Sequence, residues 1–386
     1  MKRFIPYGKQ WIDKDDVQAV LKILKSDLIT QGPAIAKFED IIRKRTGAKY
    51  CVSVANGTAA LHLAVQTLGI PKGKKGLTSP ITFTASANCF LYNGLEADFA
   101  DIDSKTYNID PSEIQRKIDL STSLLIPVHF AGQPADMKAI SKIARKRDCR
   151  VIEDAAHAIG SRYENGHPVG NCEYSDMTIF SFHPVKTITT GEGGAITTNN
   201  EKLYRQLIGL RTHGITKDPD VLTQNPGPWY YEMHDLGFNY RLTDIQAALG
   251  ISQMRKLDKY ICRRREIVSR YNEAFKNDVW AIIPYEHPGV LSAFHLYVIQ
   301  IDFNLIGKTR KEVMEELRKK SIGTQVHYIP VYSQPYYKKH FKFRSGDFPV
   351  AEAFYERALS LPLYPRMTDS DVDYVIHTLK RIAKVA

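Results

Sequence analysis

VIEDAAHAIGS, residues 151–161, opens as an apolar, β-branched strand and carries an acid, Asp154, at the strand's carboxyl end. In an open α/β sheet that end faces the crevice where ligands bind, which gives Asp154 a place to act. A second segment, FSFHPVKTITTGEGGAITT (residues 180–198), holds Lys186 in a polar turn, not on a helix face. Ser181, Thr187, Thr189 and Thr190 flank the lysine, and Gly191, Gly193 and Gly194 stand behind it. Such glycines let a backbone come close to a ligand. Each residue alone has an ordinary reading, a solvated lysine or an aspartate closing a turn. Together they point to chemistry.

Outward from this pair, short apolar strands and helical patterns alternate. Strand-like runs fall at Tyr50–Val54, Glu96–Ala100, Leu124–Val128, Arg150–Glu153, Met177–Phe182 and Gly194–Thr198. Residues 12–26 space Val17, Val20, Leu21 and Leu24 as an amphipathic helix, and DMKAISKIARKR (residues 136–147) predicts a helix with Asp136 as N-cap. The alternation predicts an α/β domain around a mainly parallel sheet. A single long helix from Thr243 to about Phe275 closes it. Beyond, a strand at His295–Phe303, a helix at Thr309–Ser321 ending at Gly323, a strand at Thr324–Tyr328 and a helix at Ser370–Val385 predict a small α+β domain. The division expected is 1–255 and 256–386.

Composition sets outer bounds. The chain has 386 residues, 43% hydrophobic and 25% charged, as in ordinary globular proteins. The opening MKRFIPYGKQ lacks the apolar stretch of a secretory peptide, so a cytoplasmic location is expected. Cys51, Cys89, Cys149, Cys172 and Cys262 are scattered, with no CxxC and no zinc spacing, so no metal site is expected. The net charge of +11 comes from small, interrupted clusters such as KIARKRD (residues 142–148). That pattern reads as a solvated basic surface and not as a nucleic-acid face, and its field favours anionic ligands.

VANGTAALHLAV (residues 54–65) is a strand that ends in Asn56, Gly57 and Thr58 before a helix, an arrangement that aims backbone amides and a helix dipole at an anion. A lysine to form an imine, a carboxylate for a pyridine nitrogen and donors for a phosphate are the three requirements of pyridoxal phosphate (PLP). Lys186, Asp154 and the Gly57–Thr58 turn are candidates for each. These segments, with LITQGP (residues 28–33), LGFNYRLTDIQAALG (residues 236–250) and LPLYPRMTDSDVDYVI (residues 361–376), resemble the DegT/StrS sugar aminotransferases in order and spacing over essentially the whole chain.

The resemblance implies a fold-type-I PLP-dependent transferase, with the sheet in the large domain and a smaller C-terminal α+β domain. It implies that Lys186 carries the Schiff base, that Asp154 pairs with the ring nitrogen, and that Gly57, Thr58 and Ser181 bind the phosphate. Phe83 would stack on the ring and His157 would contact the phenolic oxygen. Asn239 would reach the phosphate of a neighbouring subunit, which makes a homodimer with shared active sites. Arg241, His327 and Tyr328 match positions near the substrate. Within the family, SFHPVKTITTGEGG, EDAAHAIGS and RTHGI (residues 211–215) look most like the enzymes of pseudaminic acid synthesis, which aminate a UDP-linked 4-keto-6-deoxy-N-acetylhexosamine using glutamate. Open alternatives are a transaminase for a dTDP- or GDP-linked 4-keto sugar or UDP-4-keto-arabinose, and a sugar-sensing regulator without turnover.

Overall fold

The structure, a computed structural model, describes residues 3–383. Seven strands form the central sheet: β1 (Tyr50–Val54), β2 (Lys75–Thr78), β3 (Glu96–Phe99), β4 (Thr122–Ile126), β5 (Arg150–Asp154), β6 (Met177–Ser181) and β7 (Gly194–Thr198). Their order is β1-β7-β6-β5-β4-β2-β3. All pairings from β6 to β3 are parallel, and β7 lies antiparallel between β1 and β6. The carboxyl ends of β1, β2, β4, β5 and β6 therefore share one edge. Both faces are covered, as a parallel sheet requires. Helices Gly57–Thr67, Ala85–Tyr92 and Glu201–Arg211 pack into one core, and Pro33–Thr46, Met137–Lys146 and Asp244–Met254 into the other.

Strand β2 has no counterpart among the expected strands. Its sequence, KGLT, is short, and Gly76 dilutes the apolar pattern; the glycine is required because a Cβ there would lie 2.3 Å from the Phe90 ring. The helix expected over residues 243–275 is two, Asp244–Met254 and Leu257–Phe275. No glycine or proline marks the break. Instead the Lys256 ammonium is drawn to Asp13 and Asp16, 2.7 Å from each. Helix Lys14–Leu24 forms as expected, but Val17, Leu21 and Leu24 are 48%, 38% and 53% exposed, and its buried member is Asp16.

Beyond a short ribbon of β8 (Ile215–Thr216) and β9 (Glu232–Met233), three antiparallel strands β10 (Ala281–Ile282), β11 (Tyr297–Ile301) and β12 (Ala358–Leu361) make a second sheet. Residues 324–328 are not the strand expected: only Gln325 bridges, to Ser360, and β12 takes the place beside β11. Thr309 caps its helix in a capping box with Glu312, as expected, but the helix ends at Lys319, with left-handed Ser321 (φ +60°) after it. Gly323 serves a different end. Its N–H donates to the Ile5 carbonyl (2.7 Å), and a Cβ would meet the Phe4 ring at 2.9 Å. Ile5 bridges Ile322, so residues 4–8 are clasped by the C-terminal part of the chain. The final helix is Asp369–Ile382, capped by Thr368; the expected end at Val385 lies outside the described residues. Among the described residues no helix is long and apolar enough to cross a membrane.

Candidate active site

A cavity of about 890 Å³ opens at the carboxyl edge of the sheet. Its wall includes Gly57 and Thr58 after β1, Phe83 after β2, Asp154 and His157 at the end of β5, Ser181 at the end of β6, Lys186 in the β6–β7 turn, and His327 and Tyr328. The structure thus brings nine of the expected site residues together. Two stand apart: Asn239 is exposed, Arg241 half-buried, and neither lines the cavity of its own chain.

Asp154 is 4% exposed and accepts from the Ser86 hydroxyl at 2.6 Å and from the Ala156 N–H at 3.1 Å. Thr82 holds Ser86 in turn, oxygen to oxygen at 2.8 Å. Lys186 carries the opposite charge into the same space. Burial pushes its pKa down to about 8 against the pull of the Asp154 charge, so a far larger share of the amine is free near neutral pH than for an exposed lysine. The turn bearing it is fixed by Phe182 N–H to Gly193 O (2.8 Å), Thr190 N–H to Phe182 O (3.0 Å) and Lys186 N–H to His183 O (2.9 Å).

At the head of helix Gly57–Thr67, Asn56 caps by accepting from the Ala59 N–H (2.8 Å). The amides of Gly57 and Thr58 have no intrahelical acceptor and sit at the cavity wall. A Cβ on Gly57 would lie 2.9 Å from the Ser181 Cβ, so the glycine lets the helix start and the Ser181 hydroxyl stand side by side. That is the donor set of an anion cradle.

His157 is buried at 6% exposure, with Tyr328 Oη 3.1 Å from its Nε2 and no partner for Nδ1. Burial, then the Lys186 and His327 charges, holds its pKa well below the ordinary value, so the ring is neutral. Burial raises the Tyr328 pKa, so the phenol keeps its proton beside Nε2. Nδ1 is left as a buried ring nitrogen without a partner. Phe83 is 59% exposed and lines the cavity. An amine, an oriented carboxylate, an anion cradle, an exposed aromatic ring and a buried ring nitrogen without a partner suit PLP.

Four further residues of this wall escape sequence reasoning. Ser86 and Thr82 left a faint signal, polar residues four apart where an alanine-rich helix begins. Tyr7 and His295 left none, because one lies in an irregular N-terminal segment and the other just before β11.

Comparison with known proteins identifies the family. The model of the DegT/DnrJ/EryC1/StrS aminotransferase family matches residues 10–380. The spore coat polysaccharide biosynthesis protein SpsC of Bacillus subtilis is 41% identical over 384 residues, covering 99% of this chain and 98% of SpsC. PseC of Helicobacter pylori, an aminotransferase of pseudaminic acid biosynthesis, superposes with a TM-score of 0.91 at 30% identity, covering 98% of this chain and 99% of PseC. Spr1654 of Streptococcus pneumoniae, in its PLP form, gives 0.91 at 30% identity and covers 98% of each chain. Family match, fold-type-I architecture and site together lead to one conclusion: this chain belongs to the DegT/DnrJ/EryC1/StrS family and is a PLP-dependent sugar aminotransferase.

Proposed function

We propose that the enzyme moves an amino group from glutamate to the keto carbon of a UDP-linked 4-keto-6-deoxy-N-acetylhexosamine, giving the 4-amino sugar, as in pseudaminic acid type pathways. The observation that carries this reading is the placing of Lys186 and Asp154 in one cavity at the carboxyl edge of the sheet. The likeness to PseC supports the sugar. When bound, PLP supplies an aldehyde that carries the amino group between substrates and a pyridine ring that draws electrons from the reacting carbon.

The chain's own residues do the rest. Lys186 Nζ takes the proton from the amino-bearing carbon of the donor and later returns a proton to the sugar carbon, so one amine serves both halves. Its lowered pKa suits that exchange. Asp154, steadied by Ser86, keeps a proton on the ring nitrogen. Gly57, Thr58 and Ser181 bind the phosphate, Phe83 packs on the ring, and His157 Nδ1 donates to the phenolic oxygen. In this reading Tyr328 donates to His157 Nε2, 3.1 Å away, and so keeps the ring hydrogen on Nδ1.

Asn239 acts in this reading from a second copy of the chain, with Arg241 beside it. Val17, Leu21, Leu24, Leu28 and Ile29, 38% to 53% exposed, offer that copy an apolar face. A second reading of the substrate has its own support, since SpsC is more similar in sequence than PseC: another nucleotide-linked 4-keto sugar, dTDP- or GDP-linked, or UDP-4-keto-arabinose. Mass spectrometry of the products after incubation with glutamate and each candidate sugar separates the two. Amination of the UDP-linked hexosamine is expected, and amination of a dTDP sugar alone would overturn the substrate assignment.

A further inference from the structure

Arg264, on helix Leu257–Phe275, is a charged side chain in the interior. It is 1% exposed, and burial pushes its pKa down to about 10, so the guanidinium stays charged at neutral pH. Among the described residues no carboxylate pairs with it, whereas the next residue, Arg265, has Glu286 at 2.6 Å. Arg264 Nη1 donates instead to the main-chain carbonyls of Leu363 (2.9 Å), His295 (3.1 Å) and Phe294 (3.4 Å), and its Nε has no partner. A buried charge without a counter-ion is costly, and packing alone would be served better by an apolar side chain.

Both segments that Arg264 holds lead to the cavity. Leu363 donates its own N–H to the Tyr7 carbonyl (3.0 Å), and Tyr7 lines the wall. Phe294 sits at φ +43°, a left-handed conformation that is strained for an aromatic residue. The His295 N–H that follows donates to the carbonyl of Ala131 (2.8 Å), itself left-handed at φ +55°. This turn delivers the His295 ring to the wall, with its centroid 4.4 Å from that of His157. The main chains meet as well: a Cβ on Gly132 would lie 3.0 Å from both the His157 carbonyl oxygen and the Phe294 nitrogen. Burial, then the charges of His157, Lys186 and Arg264, hold the His295 pKa well below the ordinary value, so its ring is neutral and serves as a packing surface.

Resting on the reading that His157 meets the phenolic oxygen of PLP, we propose that Arg264 is a positioning residue for the cofactor pocket: it clamps the strained Phe294–His295 turn and thereby seats the His295 ring against His157. Arg264 itself does not line the cavity. Loosening the clamp lets His295 relax and His157 with it, which weakens the bond to the phenolic oxygen. More negative charge then stays on that oxygen, and the nitrogen that Lys186 contributes to the cofactor keeps its proton to higher pH.

The test reads the pH midpoint of the visible absorbance of the PLP-loaded protein, with Lys186, Asp154 and Tyr328 unchanged in every variant. Arg264→Met should raise the midpoint by about one pH unit, the scale of one weakened charge-assisted hydrogen bond. Arg264→Lys keeps the charge but cannot span three carbonyls, so it should raise the midpoint by about half of that. His295→Ala leaves the arginine in place and should reproduce the R264M shift, and the double variant should show no more than either single one. Leu379→Ala, in the same core as Phe294 but on the final helix, should lower stability with the midpoint unmoved. A shift in R264M without one in R264K would trace the effect to charge acting across space. Additive shifts in the double variant, an unmoved midpoint in H295A, or a shift in L379A equal to that of R264M would trace it to another route or to general loosening. Each of these overturns the proposal, and R264K and H295A carry the test if R264M does not fold. His157→Leu at the parent midpoint would instead sink the His157 reading, and the proposal with it, while transamination stands.

Discussion

Glu153 and Asp154 are neighbours on β5, yet their side chains leave the strand on opposite faces and meet opposite fates. Glu153 is fully buried and saturated. His129 Nε2 (2.9 Å) and the Tyr163 hydroxyl donate to one oxygen, and the Ser175 and Thr178 hydroxyls to the other. His129 Nδ1 accepts from the Ala135 N–H (3.0 Å), which puts the ring's hydrogen on the Glu153 side. Asp154 has a hydroxyl and one backbone amide and otherwise faces the cavity. A carboxylate whose lone pairs are all taken holds a fold together; one with capacity left over can take a ligand. The same distinction separates Thr178, spent on Glu153, from Ser181 three residues later, which opens on the cavity.

Substitutions sharpen the contrast. Lys186→Ala should lower the rate of amino transfer from glutamate by about 10³-fold or more, followed by stopped-flow absorbance, because the proton carrier is gone. Glu153→Gln should move stability instead: a buried amide must aim hydrogens at some of four groups that are themselves donors, at a cost of about 3 kcal/mol in denaturant unfolding. Asp154→Asn should fold normally and lose about 10²-fold in turnover, since an amide cannot stabilise the ring nitrogen's proton. If E153Q lost turnover while keeping its stability, the division of labour on β5 would be wrong. Ser86→Ala removes one charge-assisted bond to Asp154 and should weaken PLP binding by about tenfold, measured by fluorescence titration.

Two pH responses follow from the same pair of faces. Burial raises the Glu153 carboxyl pKa, but the bonds from His129, Ser175 and Tyr163 outweigh it and hold the group below its ordinary value. A carboxyl depressed on folding stabilises above its unfolded pKa of about 4.3 and loses that contribution as pH falls through the folded value. Part of the acid limb of unfolding should therefore vanish in E153Q. On the other face, the rate at which the cofactor-free protein recaptures PLP should climb with pH and level off above about 8, tracking the free amine of Lys186. A midpoint near the ordinary lysine value would mean that the amine is not shielded from water.

How much was legible in the sequence follows a physical line. Asp154, Ser181 and Gly57 sit at the ends of regular strands, and Lys186 sits in a glycine-marked turn, so local pattern and sheet geometry suffice to place them. The deviations arise where long-range contacts override local preference. Residues 324–328 have strand composition but are diverted along the cavity, and ALSL (Ala358–Leu361) takes the vacancy beside β11. The helix break at Arg255–Lys256 answers to Asp13 and Asp16, far away in sequence. Tyr7 and His295 enter the wall only because distant segments are packed beside it. Apolar spacing in Lys14–Leu24 located the helix correctly, but it could not tell a face turned to the core from one left bare.

The clasp between Ile5 and Ile322 has a consequence for the order in which the molecule is made. A ribosome delivers Ile5 and Tyr7 some three hundred residues ahead of the ledge that holds their backbone, from Ser321 to Leu363. The nascent enzyme therefore carries a catalytic bay with one side missing until that late stretch emerges, and Ile5 and Tyr7 must wait without these partners while the intervening chain is made.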